Sequence, residues 1–233
     1  MLRIITDFDG PIMDVSERYY QVYCYCLKQV RRSGQSVRHL SKAQFWQLKR
    51  SQTPERQIGQ LSGLDELQAQ EFAQLRRTTV HTLPYLAYDT PIPGALDTLR
   101  YLQSINVDLV VMTMRRVCEL ENAFDRYDLA QFFPKTRRYC LSNDYVKTAD
   151  VKDKPMLMQR AMAELPPVTA TWMIGDTEAD IVSAQSQGIP VVGVLSGIRD
   201  RQQLIKHQPD RIANNLHEAV NGILERAAIQ YAG

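Results

Sequence analysis

Downstream of residue 89 the chain alternates short apolar runs with helical patterns, and this alternation restricts the fold more than any other feature. A helix is predicted from about Ala95 to Ser104, then the run VDLVVMT, then the short run RRYCLSN. A helix from Pro155 to Glu164, the run ATWMIGD, a helix over Glu178 to Gln187, the run PVVGVLSG and a last weak run, DRIANN, follow. A strand that is apolar along its whole length has to be covered on both faces, which parallel strands joined by crossover helices achieve. The pattern therefore predicts an α/β fold, a Rossmann-like parallel sheet with helices on both sides.

One more strand stands apart at the beginning, in RIITDFDGPIMD. After it the alternation stops, and residues 15 to 88 read as helical throughout. Asp14 and Glu17 have capping-box spacing, and Val15, Tyr19, Val22, Tyr23, Cys26, Leu27 and Val30 form a helical stripe. Ser41 with Gln44 opens a second helix, Thr53 followed by Pro54 reads as a cap with proline at the first helical position, and a further helix runs from about Asp65 to Thr79. The predicted organisation is a core of residues 1–14 and 89–233, with an all-helical cap of residues 15–88 inserted after the first strand.

Charge and composition exclude some functions. A formal net charge of +2 on 233 residues gives no electrostatic case for nucleic acid or a membrane surface. The basic pairs Arg31-Arg32, Arg76-Arg77, Arg115-Arg116 and Arg137-Arg138 are scattered and read as solvated surface. No apolar run of about 18 residues occurs, and Asp7 interrupts the start before a signal-peptide core could form. Cys24, Cys26, Cys118 and Cys140 lack paired metal spacing, so a cytoplasmic protein with reduced thiols is expected.

Ligands of open parallel sheets bind beyond the carboxyl ends of the strands. The first strand delivers Asp7 and Asp9 there, two carboxylates at i and i+2 that point the same way. Like charges so close need a cation between them or a shared proton. VVMT delivers Thr113, WMIGD delivers Asp176 with Asp180 a helical turn later, and Lys154 stands beside Pro155. Asp7, the backbone carbonyl of Asp9 and Asp176 offer the oxygen ligands that Mg²⁺ requires. A carboxylate can attack phosphorus while a metal and Lys154 neutralise the transferring group, Thr113 donates a hydrogen bond, and Asp9 moves the proton.

In this order, DFDGPIMD, VVMT, KDKP and GDTEAD resemble the four motifs of the haloacid dehalogenase (HAD) superfamily. The segments PIPGALDTLRYL and GDTEADIVSAQSQGIPVVGV, with the helical insertion, resemble its phosphoglycolate phosphatase and β-phosphoglucomutase branch. The resemblance implies a Rossmannoid core, a helical cap and Mg²⁺-dependent catalysis. By matching position it implies Asp7 as nucleophile, Asp9 as general acid/base, Thr113 and Lys154 as phosphoryl ligands, and Asp7, Asp9, Asp176 and Asp180 at the metal. The second acid, Asp9, favours phosphate esters over carbon–halogen bonds. Two departures stand out: Pro11 where the family has Thr or Val, and Met114 where many relatives have Asn.

The expected function is a phosphatase for a small phosphorylated metabolite, acting as a monomer or homodimer. Two alternatives stand beside it, a phosphomutase and a catalytically silent module that has kept the fold. Gly10 and Met114 are expected near the substrate. In the cap, Lys49, Arg50 and Arg56 could grip a polar substrate or merely surround the buried Phe45 and Trp46. Lys152 rivals Lys154 as a solvated alternative, and Asp180 could simply decorate the start of a helix. Ser196 and Gly197 could line the site or form a plain turn, while Tyr19, Tyr20, Tyr23 and Tyr25 read as packing within the cap.

Overall fold

The computed structural model describes residues 1–231, with side chains through Arg226, so the end of the predicted 89–233 core span lies outside the described residues. The chain divides into two compact units, one of Met1–Asp14 with the chain from Pro91 onward, the other Val15–Thr90. A first strand, β1 (Leu2–Thr6), is followed by a two-residue strand, β2 (Met13–Asp14).

The second unit is built from α1 (Ser16–Val30), α2 (Lys42–Arg50), α3 (Glu55–Leu61), α4 (Glu66–Thr79) and the single turn α5 (Leu83–Leu86). The stripe of α1 buries Val22, Tyr23, Cys26, Leu27 and Val30 against Phe45, Ile58, Ala69 and Phe72 of the next three helices. Tyr23 is the centre of this core: it stacks on Phe45 at 4.8 Å and meets Phe72 edge-on at 6.0 Å. Its hydroxyl accepts from the Leu40 N–H at 3.0 Å and pairs with Ser62 at 2.9 Å, so the buried polar tip is satisfied. Tyr25 packs on Tyr85 at 5.9 Å but is 40% exposed, so the packing role expected of it is met only in part.

Two of the predicted helix starts are corrected. The N-cap of α1 is Val15, without a side-chain cap, because Glu17 binds Gln21 and Lys42 in place of closing a box with Asp14. The N-cap of α3 is Pro54 itself, in extended conformation, and the Thr53 hydroxyl is engaged by Ser51. The boxes at Ser41/Gln44 and Asp65/Gln68 form with both reciprocal bonds.

The two-residue strand β3 (Thr90–Pro91) precedes α6 (Ala95–Ser104) and β4 (Asp108–Arg116). Then come α7 (Val117–Tyr127), β5 (Arg138–Leu141), α8 (Asp150–Glu164), β6 (Ala170–Gly175), α9 (Glu178–Gln185), β7 (Val191–Val194), α10 (Arg201–Ile205), β8 (Arg211–Ala213) and α11 (Leu216–Tyr231). The six longer strands make one parallel sheet in the order β5-β4-β1-β6-β7-β8. Strand β1 lies between β4 and β6, with Ile4 paired to Leu109 on one side and to Trp172 on the other.

Alternation along the strands fills both faces. Ile5, Val110, Met112, Met173 and Val191 join Met158 and Ala161 of α8 and Ile181 and Ala184 of α9 in one apolar cluster. Ile4, Val111, Ile174 and Val192, one residue out of step, are buried on the opposite face. This is the α/β Rossmann-like architecture expected from the alternating runs. Among the described residues, no helix is long and apolar enough to cross a membrane.

Candidate active site

The central position of β1 puts Asp7 where strand pairing ends, and its N–H donates to the Ile174 carbonyl of β6 at 2.8 Å. The loop that follows closes on itself, with the Met13 N–H donating to the Phe8 carbonyl at 2.9 Å and the Gly10 N–H to the Met13 carbonyl at 2.8 Å. None of these bonds uses the nitrogen of residue 11, so Pro11 removes nothing the turn needs. Gly10 has φ +91°, and a Cβ there would overlap the Asp176 side chain. Only glycine satisfies both the backbone and the space. Ser196 fastens the same turn, donating its hydroxyl to the Gly10 carbonyl at 2.7 Å.

Asp176 follows β6, and its Oδ2 accepts the Ile198 N–H at 2.6 Å. Asp180 is the third residue of α9, where its Oδ2 accepts from the N–H and hydroxyl of Thr177 at 3.0 and 2.7 Å. It thus caps the helix with one oxygen and turns the other, Oδ1, to Lys154 at 2.5 Å.

Helix α8 begins at Asp150, earlier than predicted, and Pro155 falls inside it. The Asp153 carboxylate fixes the preceding loop by accepting from the N–H and hydroxyl of Thr148 at 2.8 and 2.7 Å. Helical geometry then separates the two rival lysines. Lys152 faces solvent, whereas Lys154 is 1% exposed and reaches Asp7 Oδ2 at 2.9 Å as well as Asp180.

Carboxylate oxygens of Asp7, Asp176 and Asp180 all lie within 4.8 Å of one another, and all three residues are buried. One lysine faces three acids. Burial, then the charges of Asp180 and Asp176, hold the Asp7 carboxyl well above its ordinary range, with Lys154 opposing. Burial and Asp180 push Asp176 up to about 7, against the Ile198 N–H, Lys154 and Arg199. For Lys154, burial works to lower the pKa, but Asp180 and Asp7 together raise it. Surplus negative charge in a dry cluster of hard oxygen donors is the environment a divalent cation fits.

A pH dependence follows for the metal-free protein. Asp176 binds its proton more tightly folded than unfolded, so its contribution to stability is complete below about pH 4 and is lost as the pH rises through about 7. Thermal melts in EDTA are expected to show the midpoint falling between about pH 5 and 8, and Mg²⁺ stabilising more at the higher pH. Equal stabilisation by Mg²⁺ at both values would contradict this.

The Asp9 carboxylate is not part of the acidic trio. Its Oδ1 accepts from Nε and Nη2 of Arg115 at 2.9 and 2.7 Å. This corrects the reading of Arg115-Arg116 as solvated surface: Arg115 is 2% exposed, lies 4.9 Å over the Phe8 ring and also donates to the Glu119 carbonyl. Arg76, of another supposed surface pair, is equally buried. An arginine near the end of a strand has no sequence signal that marks it as buried. Lys147 is a second cation that sequence reasoning passed over: burial lowers its pKa, with Glu119, Asp150 and Asp9 among the charges around it.

Thr113 is buried within β4, which continues to Arg116, and its hydroxyl accepts the Arg115 N–H at 3.2 Å. Met114 packs against the apolar cluster of the sheet. Lys49, Arg50 and Arg56 belong to the helical unit: Lys49 is ion-paired with Glu55, Arg56 with Glu66, and Arg50 is half-buried in the last turn of α2.

Several known proteins are similar to this chain. Residues 151–219 match the HAD-hydrolase-like family model, a stretch that includes Lys154, Asp176 and Asp180. A phosphoglycolate phosphatase of Pseudomonas fluorescens is 22% identical over 166 residues, 71% of this chain and 58% of that protein. The similarity to the first such relatives thus spans about half of their length. Among solved structures, a Clostridium difficile chain that carries a provisional phosphatase name superposes with a TM-score of 0.72 at 18% identity, covering 96% of this chain and 97% of that one. A haloacid dehalogenase-like hydrolase from Streptococcus pneumoniae gives 0.67 at 20% identity, covering 95% and 97%.

Proposed function

We propose that this protein is a Mg²⁺-dependent phosphatase of the haloacid dehalogenase superfamily that hydrolyses a small phosphorylated metabolite, a reading supported by its fold and by the match of residues 151–219. One observation carries the reading: a buried trio of carboxylates, one of them at the end of the central strand and ion-paired to a buried lysine. A fold gains nothing from that arrangement by itself, since removing three charges from water is costly without a ligand to share them.

Asp7 is the nucleophile. The Phe8 N–H donates to its Oδ1 at 2.7 Å and Lys154 to its Oδ2 at 2.9 Å, so the carboxylate is held in one orientation before substrate arrives. Attack by an Asp7 oxygen on phosphorus forms an aspartyl-phosphate and breaks the ester P–O bond, and the leaving oxygen takes a proton from Asp9. Water then attacks the same phosphorus and gives its proton to Asp9, which releases phosphate and restores Asp7. Arg115 fixes the Asp9 carboxylate through both steps. Lys154 and the Thr113 hydroxyl bear on the phosphoryl oxygens. A Mg²⁺ ion held by Asp7, Asp176 and Asp180, with the Asp9 carbonyl, would neutralise charge on the phosphoryl group.

The test is phosphate release from a panel of phosphorylated metabolites, with Mg²⁺ or with EDTA. Phosphoglycolate heads the panel because the relatives named above include a phosphoglycolate phosphatase. Release that requires Mg²⁺ is the expected result. Silence across a broad panel would transfer the case to a mutase or to a fold without chemistry, which a sugar-phosphate isomerisation assay separates.

A further inference from the structure

We infer that the ion pair of Glu178 with Arg199 is a clasp that fixes the Asp176 carboxylate for a small divalent cation, and so sets the preference of the acidic trio for Mg²⁺ over Ca²⁺. The inference rests on the reading of that trio as a Mg²⁺ site. Glu178 and Arg199 touch neither the trio's ligand oxygens nor the substrate in this scheme; they are positioning residues.

Two loops meet beside Asp176, one after β6 and one between β7 and α10. Neighbouring residues of the second loop grip alternate residues of the first. The Ile198 N–H donates to Asp176 Oδ2 at 2.6 Å, and Arg199 donates to both oxygens of Glu178, from Nε at 2.7 Å and from Nη2 at 2.9 Å. Two parallel bonds restrain direction as well as distance, which a lysine in that place could not do. The paired side chains are 17% and 20% exposed, so solvent screens them less than an ordinary surface pair.

The second loop has little slack elsewhere. Ser196 binds the Gly10 carbonyl, and the Leu195 N–H donates to the Ala213 carbonyl of β8 at 2.9 Å. Gly197 lies so near Asp176 that a Cβ there would overlap its carboxylate. Arg199 adds the attachment to Glu178, the first residue of α9. Asp176 is thereby held by a hydrogen bond and by contact, from a loop that is itself anchored on both sides.

Without the clasp, the carboxylate keeps its oxygens but loses its fixed direction. That loss matters most to Mg²⁺, which demands near-ideal octahedral geometry, whereas Ca²⁺ accepts flexible coordination. Charge alone predicts the opposite result. The positive charge of Arg199 acts on Asp176, so removing it would strengthen cation binding if electrostatics ruled.

The test is calorimetric titration of the metal-stripped full chain with Mg²⁺ and with Ca²⁺, as wild type, Arg199→Lys and Arg199→Gln. Affinity for Mg²⁺ is expected to fall about tenfold or more in both variants and affinity for Ca²⁺ to fall less. Melting points in EDTA are expected within about 4 °C of wild type. Arg199→Lys keeps the charge and most of the bulk, so it carries the test even if Arg199→Gln does not fold. Unchanged or tighter Mg²⁺ binding in either variant, or an equal loss for Ca²⁺, overturns the inference. A wild type that binds no Mg²⁺ overturns the metal reading and the inference with it. Neither titration depends on turnover, so phosphate release remains a separate test.

Discussion

Asp7→Asn is expected to lose phosphate release by about a thousandfold or more while leaving the protein folded and, without metal, at least as stable as the wild type. An amide cannot attack phosphorus as the carboxylate does, which accounts for the activity. The stability follows from the site's electrostatics. Burial comes first among the causes that hold the Asp7 carboxyl above its ordinary range, and repulsion from Asp180 and Asp176 adds to it, so the charged form is the costly one. A neutral, nearly isosteric side chain relieves that cost, and Lys154 keeps its pairing with Asp180. Phosphate release and a thermal melt in EDTA read the two effects separately. Activity near wild type would remove Asp7 from the chemistry, and a melting point well below wild type would show that its charge is structural.

The second large effect is at Lys154. Replacing it by Met leaves Asp7, Asp176 and Asp180 buried with no cation among them, and losing one partner of a buried ion pair costs about 3–5 kcal/mol. For a chain of this size that is a fall of roughly 6–20 °C in melting temperature. Lys152→Met, on the exposed side of the same helix, is expected to change stability by no more than about 0.5 kcal/mol. Mg²⁺ should stabilise the Lys154→Met protein by a larger increment than the wild type, since it supplies the positive charge the lysine had given. A uniform small effect at both lysines would mean that the acidic trio is held by something other than Lys154.

The core was legible in the sequence because each apolar run has a single physical use. VDLVVMT and ATWMIGD are too apolar for any place but a sheet covered on both faces, and the polar residues that end them, Thr113 and Asp176, fall at one edge. Helix boundaries were less legible. The early start of α8 depends on Asp153 bonding back to Thr148, a tertiary event in a segment whose composition reads as loop. Proline at residue 155 reads as a helix start by its local chemistry, and nothing nearby in sequence says that a turn of helix precedes it. Arg76 and Arg115 were hidden for a different reason. Arginine is seldom buried, and only the partners Glu55 and Asp9, distant in sequence, make burial tolerable.

The placing of β1 between β4 and β6 also sets the order in which the molecule can be made. LRIIT leaves the ribosome before either neighbour, and the whole helical unit must be synthesised before even Leu109 can pair with Ile4. Trp172, its partner on the other side, arrives still later, on the order of ten seconds or more at about 5–20 residues per second. Until β4 emerges the nascent strand has two unmet hydrogen-bonding edges, and until β6 emerges it has one, while the helical unit, whose contacts are local, is free to fold. The edge that carries Asp7 and Asp176 is completed only when β6 arrives, through a long loop closure. A chaperone that shields the first residues during synthesis would therefore raise the yield of active protein more than its stability.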